Sequence, residues 1–100
     1  MATTTKALAR TSAATSSTTL YTVPSATTTV VTNIVVTNSA TSAATFTITL
    51  DAVDLFKDVA IAASTTAAFD LKQVLTTTKI IAGLASATTV RFHISGVEIS

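Results

Sequence analysis

The sequence predicts an all-β chain. It reads as an antiparallel β-sandwich of about seven to eight short strands, jelly-roll or immunoglobulin-like in its connections, preceded by an extended N-terminal arm. Three observations predict this. Ala44, Phe46, Ile48 and Leu50 alternate with Thr45, Thr47 and Thr49, which is the two-residue period of a strand with one apolar and one threonine face. The stretch before it, TTVVTNIVVT over Thr28–Thr37, is almost wholly β-branched and is joined to it by the polar turn Asn38–Ala43. Runs of this kind recur every 8–12 residues or so to the end of the chain, the spacing of a sandwich. Pattern alone leaves both connection schemes open.

Taken in order, Met1–Thr19 is low in complexity, with Lys6 and Arg10, no acid, and only Leu8 to bury. It is expected to be a flexible arm, with the sandwich domain over residues 20–100. An acid-free start containing Arg and Ser also resembles a mitochondrial transit peptide, but the apolar face of such a helix is missing. Leu20–Val23 is a first strand, ended by Pro24, which has no N–H for a ladder and holds Val23 extended. In Thr28–Thr37, Val30, Ile34 and Val36 fall on one face and Val31 and Val35 on the other, as in a strand covered on both sides. Asp51–Ala52 is a tight turn into Val53–Phe56, Lys57–Asp58 a bend, and Val59–Ala62 a continuation. Thr65–Leu71 alternates, with Ala67, Phe69 and Leu71 inward. LKQVL at Leu71–Leu75 is too short for an independent helix and reads as a corner. Lys79–Ala85 is a strand in which Gly83 marks close packing or a bulge. In Thr88–Ser100, Val90, Phe92 and Ile94 point one way and Arg91, His93 and Ser95 the other. A bulge at Gly96 would bring Val97 and Ile99 back to the core face.

Composition narrows the function. One hundred residues make at most one domain. The charged fraction is 11%, against about 25% for an ordinary soluble domain. So few charges suit a surface largely covered by neighbouring subunits. The net charge of +1 gives no footprint for nucleic acid or an anionic membrane. There is no cysteine and so no disulfide or thiolate site. No apolar run reaches the ~18 residues of a membrane span. With no apolar signal core at the N-terminus, the chain is expected to be made and used without secretion.

No catalytic constellation is legible, and no enzymatic activity or cofactor is expected. Asp51, Asp54 and Asp58 are loosely spaced like calcium ligands, but the glycine turn and closing glutamate of an EF-hand loop are missing. They read as turn aspartates. His93 shares its face with Arg91 and Ser95, which do not complete a metal site. With many serines and two glycines, neither a Ser–His–Asp set nor a phosphate loop can be singled out. The candidate partner-binding residues are Lys6, Leu8 and Arg10 on the arm and Arg91 and His93 on the last strand.

LYTVP at Leu20–Pro24, VVTNIVVTN at Val30–Asn38, TFTITLD at Thr45–Asp51 and VRFHISGVEIS at Val90–Ser100 together resemble small β-sandwich virion proteins of tailed bacteriophages. These decorate or cement capsids, or sit in the tail. The resemblance covers Leu20–Ser100. Such proteins often carry glycine in turns where this chain has Ala52 and Thr78. The resemblance implies a capsid decoration or cement protein made in the host cytoplasm and placed on the capsid surface. It would act as a homo-oligomer, trimer or dimer, bound to the major capsid protein. The alternative is a tail or fibre component or a glycan- or receptor-binding module, although with no tryptophan and only Tyr21 as a phenol a sugar-stacking platform is poorly supplied.

Overall fold

The computed structural model describes residues 2–100. It contains eight strands: β1 (Thr3–Ser12), β2 (Thr18–Thr22), β3 (Thr28–Asn38), β4 (Ala44–Leu50), β5 (Val53–Ile61), β6 (Thr65–Leu75), β7 (Ile80–Ala85) and β8 (Val90–Ile99). They form two four-stranded sheets, ordered β1-β8-β3-β6 and β2-β7-β4-β5. Every pairing is antiparallel. The pairs β4·β5, β3·β6, β2·β7 and β1·β8 nest as one long hairpin. Rolling that hairpin adds β3·β8 and β4·β7. This is the jelly-roll order, which settles the connection scheme in favour of two Greek keys over the immunoglobulin arrangement.

The core lies between the sheets. Phe46, Ile48, Leu50 and Ala44 are buried, as the alternation in β4 requires. All four phenylalanines form one cluster across the layers: Phe46 from β4 lies 5.9 Å from Phe56, 6.3 Å from Phe69 and 6.1 Å from Phe92, and Phe56 lies 4.6 Å from Phe69. Their tilted and edge-on contacts are the arrangement ring quadrupoles favour.

Four expectations change. First, the stretch expected as an arm contains a strand: Thr3–Ser12 is β1, paired with β8 along its length. Ala13 continues the attachment, its N–H bonding to the Val90 carbonyl at 2.7 Å. Threonine favours extended backbone, and an edge strand needs no apolar alternation when Leu8 alone anchors it. Met1 lies outside the described residues.

Second, Gly96 is not bulged. β8 runs regularly through it, and the irregularities lie on its neighbours, at Leu8 in β1 and at Thr32 in β3. Gly96 therefore faces the core and is buried, while Val97 and Ile99 face outward and are half-buried.

Third, the bulge at Thr32 changes the phase of β3, so that Val31, Ile34 and Val36 are buried while Val30 and Val35 lie on the outer face. Fourth, LKQVL is not a corner. β6 continues to Leu75, with Leu71 and Lys72 sharing Thr32 as their counterpart in β3.

Lys57–Asp58 behaves as the sequence suggests. It is a bulge opposite Thr47, with Asp58 at φ 48°. The Thr47 hydroxyl accepts the Asp58 N–H at 3.0 Å. Gly83 lies on regular β7, beside a bulge in β2 at Leu20, and a methyl group there would come within 3.0 Å of Leu20 Cδ1.

Each end of the sandwich has a polar fastening. At one end Asn38 is fully buried. Its Nδ2 donates to the carbonyls of Ser42, Ile61 and Ala62 at 2.9, 3.4 and 3.4 Å. Its Oδ1 accepts from Ala40 N–H at 3.1 Å and from the Thr89 hydroxyl at 3.2 Å. One side chain thus ties together the β3–β4, β5–β6 and β7–β8 turns. At the other end Glu98, on the inner face of β8, accepts from the Tyr21 hydroxyl of the opposite sheet and pairs with Lys6 at 3.3 Å.

Candidate functional site

Three bulges fall at one level of the β1-β8-β3-β6 sheet: Leu8, Thr32, and the pair Leu71–Lys72. Bulges bend and twist a strand, and aligned across neighbouring strands they crease the sheet. Two shallow depressions follow the crease on the outer face. One, of about 390 Å³, is lined by Lys6, Arg10, Thr32 and Ser95 among others. The other, of about 540 Å³, is lined by Thr32, Asp70, Leu71 and Lys72. They meet at Thr32, whose hydroxyl donates to the Ser95 carbonyl at 3.2 Å.

The residues expected to bind a partner divide into three groups. Arg10 and His93 are direct register partners, and Arg91 lies two residues along on the same outward side of β8. Arg10 and His93 lie on the outer face near the crease, and Arg91 continues that face toward the Asn38 end of the sheet. Arg91 is oriented by a hydrogen bond from its Nη1 to Ser39 Oγ at 3.1 Å. Lys6 is set apart. It lies opposite Gly96 and its ammonium turns to Glu98 at 3.3 Å. Leu8 leaves the list: its bulge turns the side chain into the core, where it is 7% exposed and cannot meet a partner.

Sequence reading missed Tyr21, Thr29 and Glu98. Tyr21 donates to Glu98, so the 2.9 Å contact between its oxygen and Thr29 Oγ1 has the threonine as donor. Burial, followed by the hydrogen bond to Glu98, pushes the Tyr21 phenol above its ordinary value. The Tyr21 hydroxyl is the main reason the Glu98 carboxyl lies below the ordinary carboxylate range. Lys6 adds to that effect, and burial opposes it. The signal was in the sequence: an unbroken alternation of Val90, Phe92, Ile94, Gly96 and Glu98 puts the carboxylate on the inner face, where a half-buried carboxylate needs a donor.

Asp51 sits in the β4–β5 turn with Lys79 Nζ at 3.6 Å. Asp54 lies on β5 opposite Thr49, and Asp58 is in the bulge. Among the described residues, no three His, Asp or Glu side chains converge on a metal-sized position. The arrangement offers a creased, hydroxyl-rich face with cations at one end and the Asp70–Lys72 pair at the other. Comparisons with protein-family models, with curated proteins and with solved structures give no match.

Proposed function

We propose that this chain is a non-enzymatic structural protein of a virion, which decorates or cements a phage head by self-association and by binding the major capsid protein. The observation that carries the reading is the charge-poor outer surface of so small a jelly roll. On the outer face of the β1-β8-β3-β6 sheet, the ionisable side chains are Arg10, Arg91, His93, Asp70 and Lys72, set among Thr, Ser, Ala, Val, Asn33 and Ile99, and the charged fraction of the whole chain is 11%. Ordinary soluble surfaces carry far more charge, whereas a surface covered by neighbours does not need it. Jelly rolls occur in capsid proteins and also in unrelated roles, so the virion assignment rests on the sequence resemblance together with this surface.

In this reading the face bearing Arg10, His93 and Arg91 is the side laid on the shell. A protein that binds only the assembled shell stabilises it by mass action. The test is to isolate heads and tails from particles encoding this chain and measure its copy number in each. A fixed stoichiometry on heads, with heads lacking it disrupted at lower temperature, is the expected result. Its presence on tails alone would move the protein to the tail, and its absence from particles would overturn the assignment.

A further inference from the structure

We propose that the free edge of β6 pairs with the β6 edge of a second copy, antiparallel, with Leu71 on the two-fold axis. Four strands have a free edge: β1, β6, β2 and β5. They differ in what an approaching copy would meet. β1 carries Arg10 and Lys6, the latter already engaged with Glu98, and no acid, so its self-pairing would join no opposite charges. β2 is five residues long. β5 is interrupted twice in its register with β4 and holds Asp58 at φ 48°. β6 is eleven residues long with a single irregularity.

The charges of β6 select one register. Asp70 and Lys72 lie on the same outward face on either side of Leu71, and neither has an ion-pair partner among the described residues. With Leu71 opposite itself, Asp70 meets the partner subunit's Lys72, and the reverse contact follows from the symmetry. The same register lays Val74, 64% exposed, against the partner subunit's Ala68. The half-buried Phe69 and Leu71 are further covered. The two large apolar side chains that stand exposed, Val53 and Val74, are on β5 and β6, the neighbouring free-edge strands of the two sheets. Charge and a bulge on an edge ordinarily discourage pairing. Here the charges are of opposite sign, so one register turns both into contacts, and each bulge faces its own copy.

The inference rests on the self-association part of the proposed function, and it is tested on the isolated chain without any shell. Sedimentation of the full chain from about 10 µM to about 1 mM is expected to follow a monomer–dimer equilibrium. Asp70→Lys sets a lysine against the partner subunit's Lys72 at both contacts, and Lys72→Asp sets two carboxylates together. Each variant alone should dissociate at least tenfold more readily. An equimolar mixture of the two should dimerise again, because every contact then joins opposite charges. Val74→Glu, a change at an exposed position, should also weaken the dimer while circular dichroism stays unchanged. A wild-type chain monomeric throughout, association unaffected by these changes, or a mixture no more dimeric than its components would each overturn the proposal. Shell binding by a monomeric chain would leave the decoration role standing.

Discussion

Leu8 occupies the space of the side chain that Gly96 lacks. A methyl group on Gly96 would come within 2.9 Å of Leu8 Cδ1 and would overlap the Val30 carbonyl oxygen. The bulge in β1 delivers the leucine to that place, and the glycine makes room for it. Gly96→Ala is therefore expected to destabilise the fold by about 3 kcal/mol or more, at the upper end of overpacking effects. Leu8→Ala should cost about 3 kcal/mol as a cavity. In the double variant the loss should be smaller than the sum, since one of the two clashes is gone, but Gly96→Ala should still be harmful because the Val30 backbone cannot withdraw. Urea denaturation of the four chains measures this coupling, and strict additivity would show that the two residues are independent.

Asn38 holds three turns with one amide. Asn38→Ala leaves the Ala40 N–H and the Thr89 hydroxyl without their acceptor and three carbonyls without their donor. A loss of about 3 kcal/mol is expected, toward the high end for an unsatisfied buried polar set. Hydrogen exchange should rise at Ala40, Ser64 and Val90 together, one amide in each turn. A rise confined to Ala40 would show that the turns are held separately.

The Tyr21–Glu98 contact makes stability depend on pH at both limits. Glu98 is held below its ordinary range, so its contribution is complete above about pH 4.3, the unfolded value, and is lost as the pH falls through the lower, folded value. Tyr21 is raised, so its contribution is complete below about pH 10 and is lost as the pH climbs through the higher, folded value. Thermal unfolding across this range should show that Glu98→Gln lowers Tm near neutrality and that its difference from wild type shrinks in acid. A difference independent of pH would remove the carboxylate from this role.

Thr78 adopts φ 70° and Ala52 φ 61°, in the left-handed region that disfavours side chains and is rarest for β-branched ones. Thr78→Gly should stabilise the protein by roughly 0.5–1 kcal/mol, the relief of strain less the added freedom of the unfolded chain. Ala52→Gly should do less. Equilibrium denaturation decides, and a destabilised Thr78→Gly would mean that the threonine makes a compensating contribution.

The chain shows unevenly in its sequence what the structure contains. β4 was legible because a central strand with one buried face must alternate, and Ala44 to Leu50 do. The turn at Asp51–Ala52 and a bend at Lys57–Asp58, which the structure makes a bulge, were legible because charges interrupt an apolar run. β1 was not, because an edge strand with one buried side chain carries no period. The faces of β3 were half legible: Ile34 and Val36 follow the period, but the bulge at Thr32 exchanges Val30 for Val31 and no residue type announces it. Gly96 signalled an irregularity correctly and located it on the wrong strand. A glycine opposite a bulge and a glycine inside one leave the same mark in a sequence. For the candidate face, His93 and Arg91 followed from the alternation of β8. Their meeting with Arg10 required the pairing of the first strand with the last.

That pairing also sets an order of events. Among the described residues the sheet neighbour of β1 is β8, and the Ala2 and Ser100 backbones exchange hydrogen bonds of 2.6 and 2.9 Å. During synthesis β1 precedes the other seven strands and lacks its partner until β8 has left the ribosome. The innermost hairpin, β4·β5, can close while the chain is still growing. Each outer pair closes a longer loop than the one before, which places this fold among the slow, high-contact-order topologies. The first strand of the fold is the last to find its partner, and until then both of its edges are unpaired, where the finished sheet leaves one.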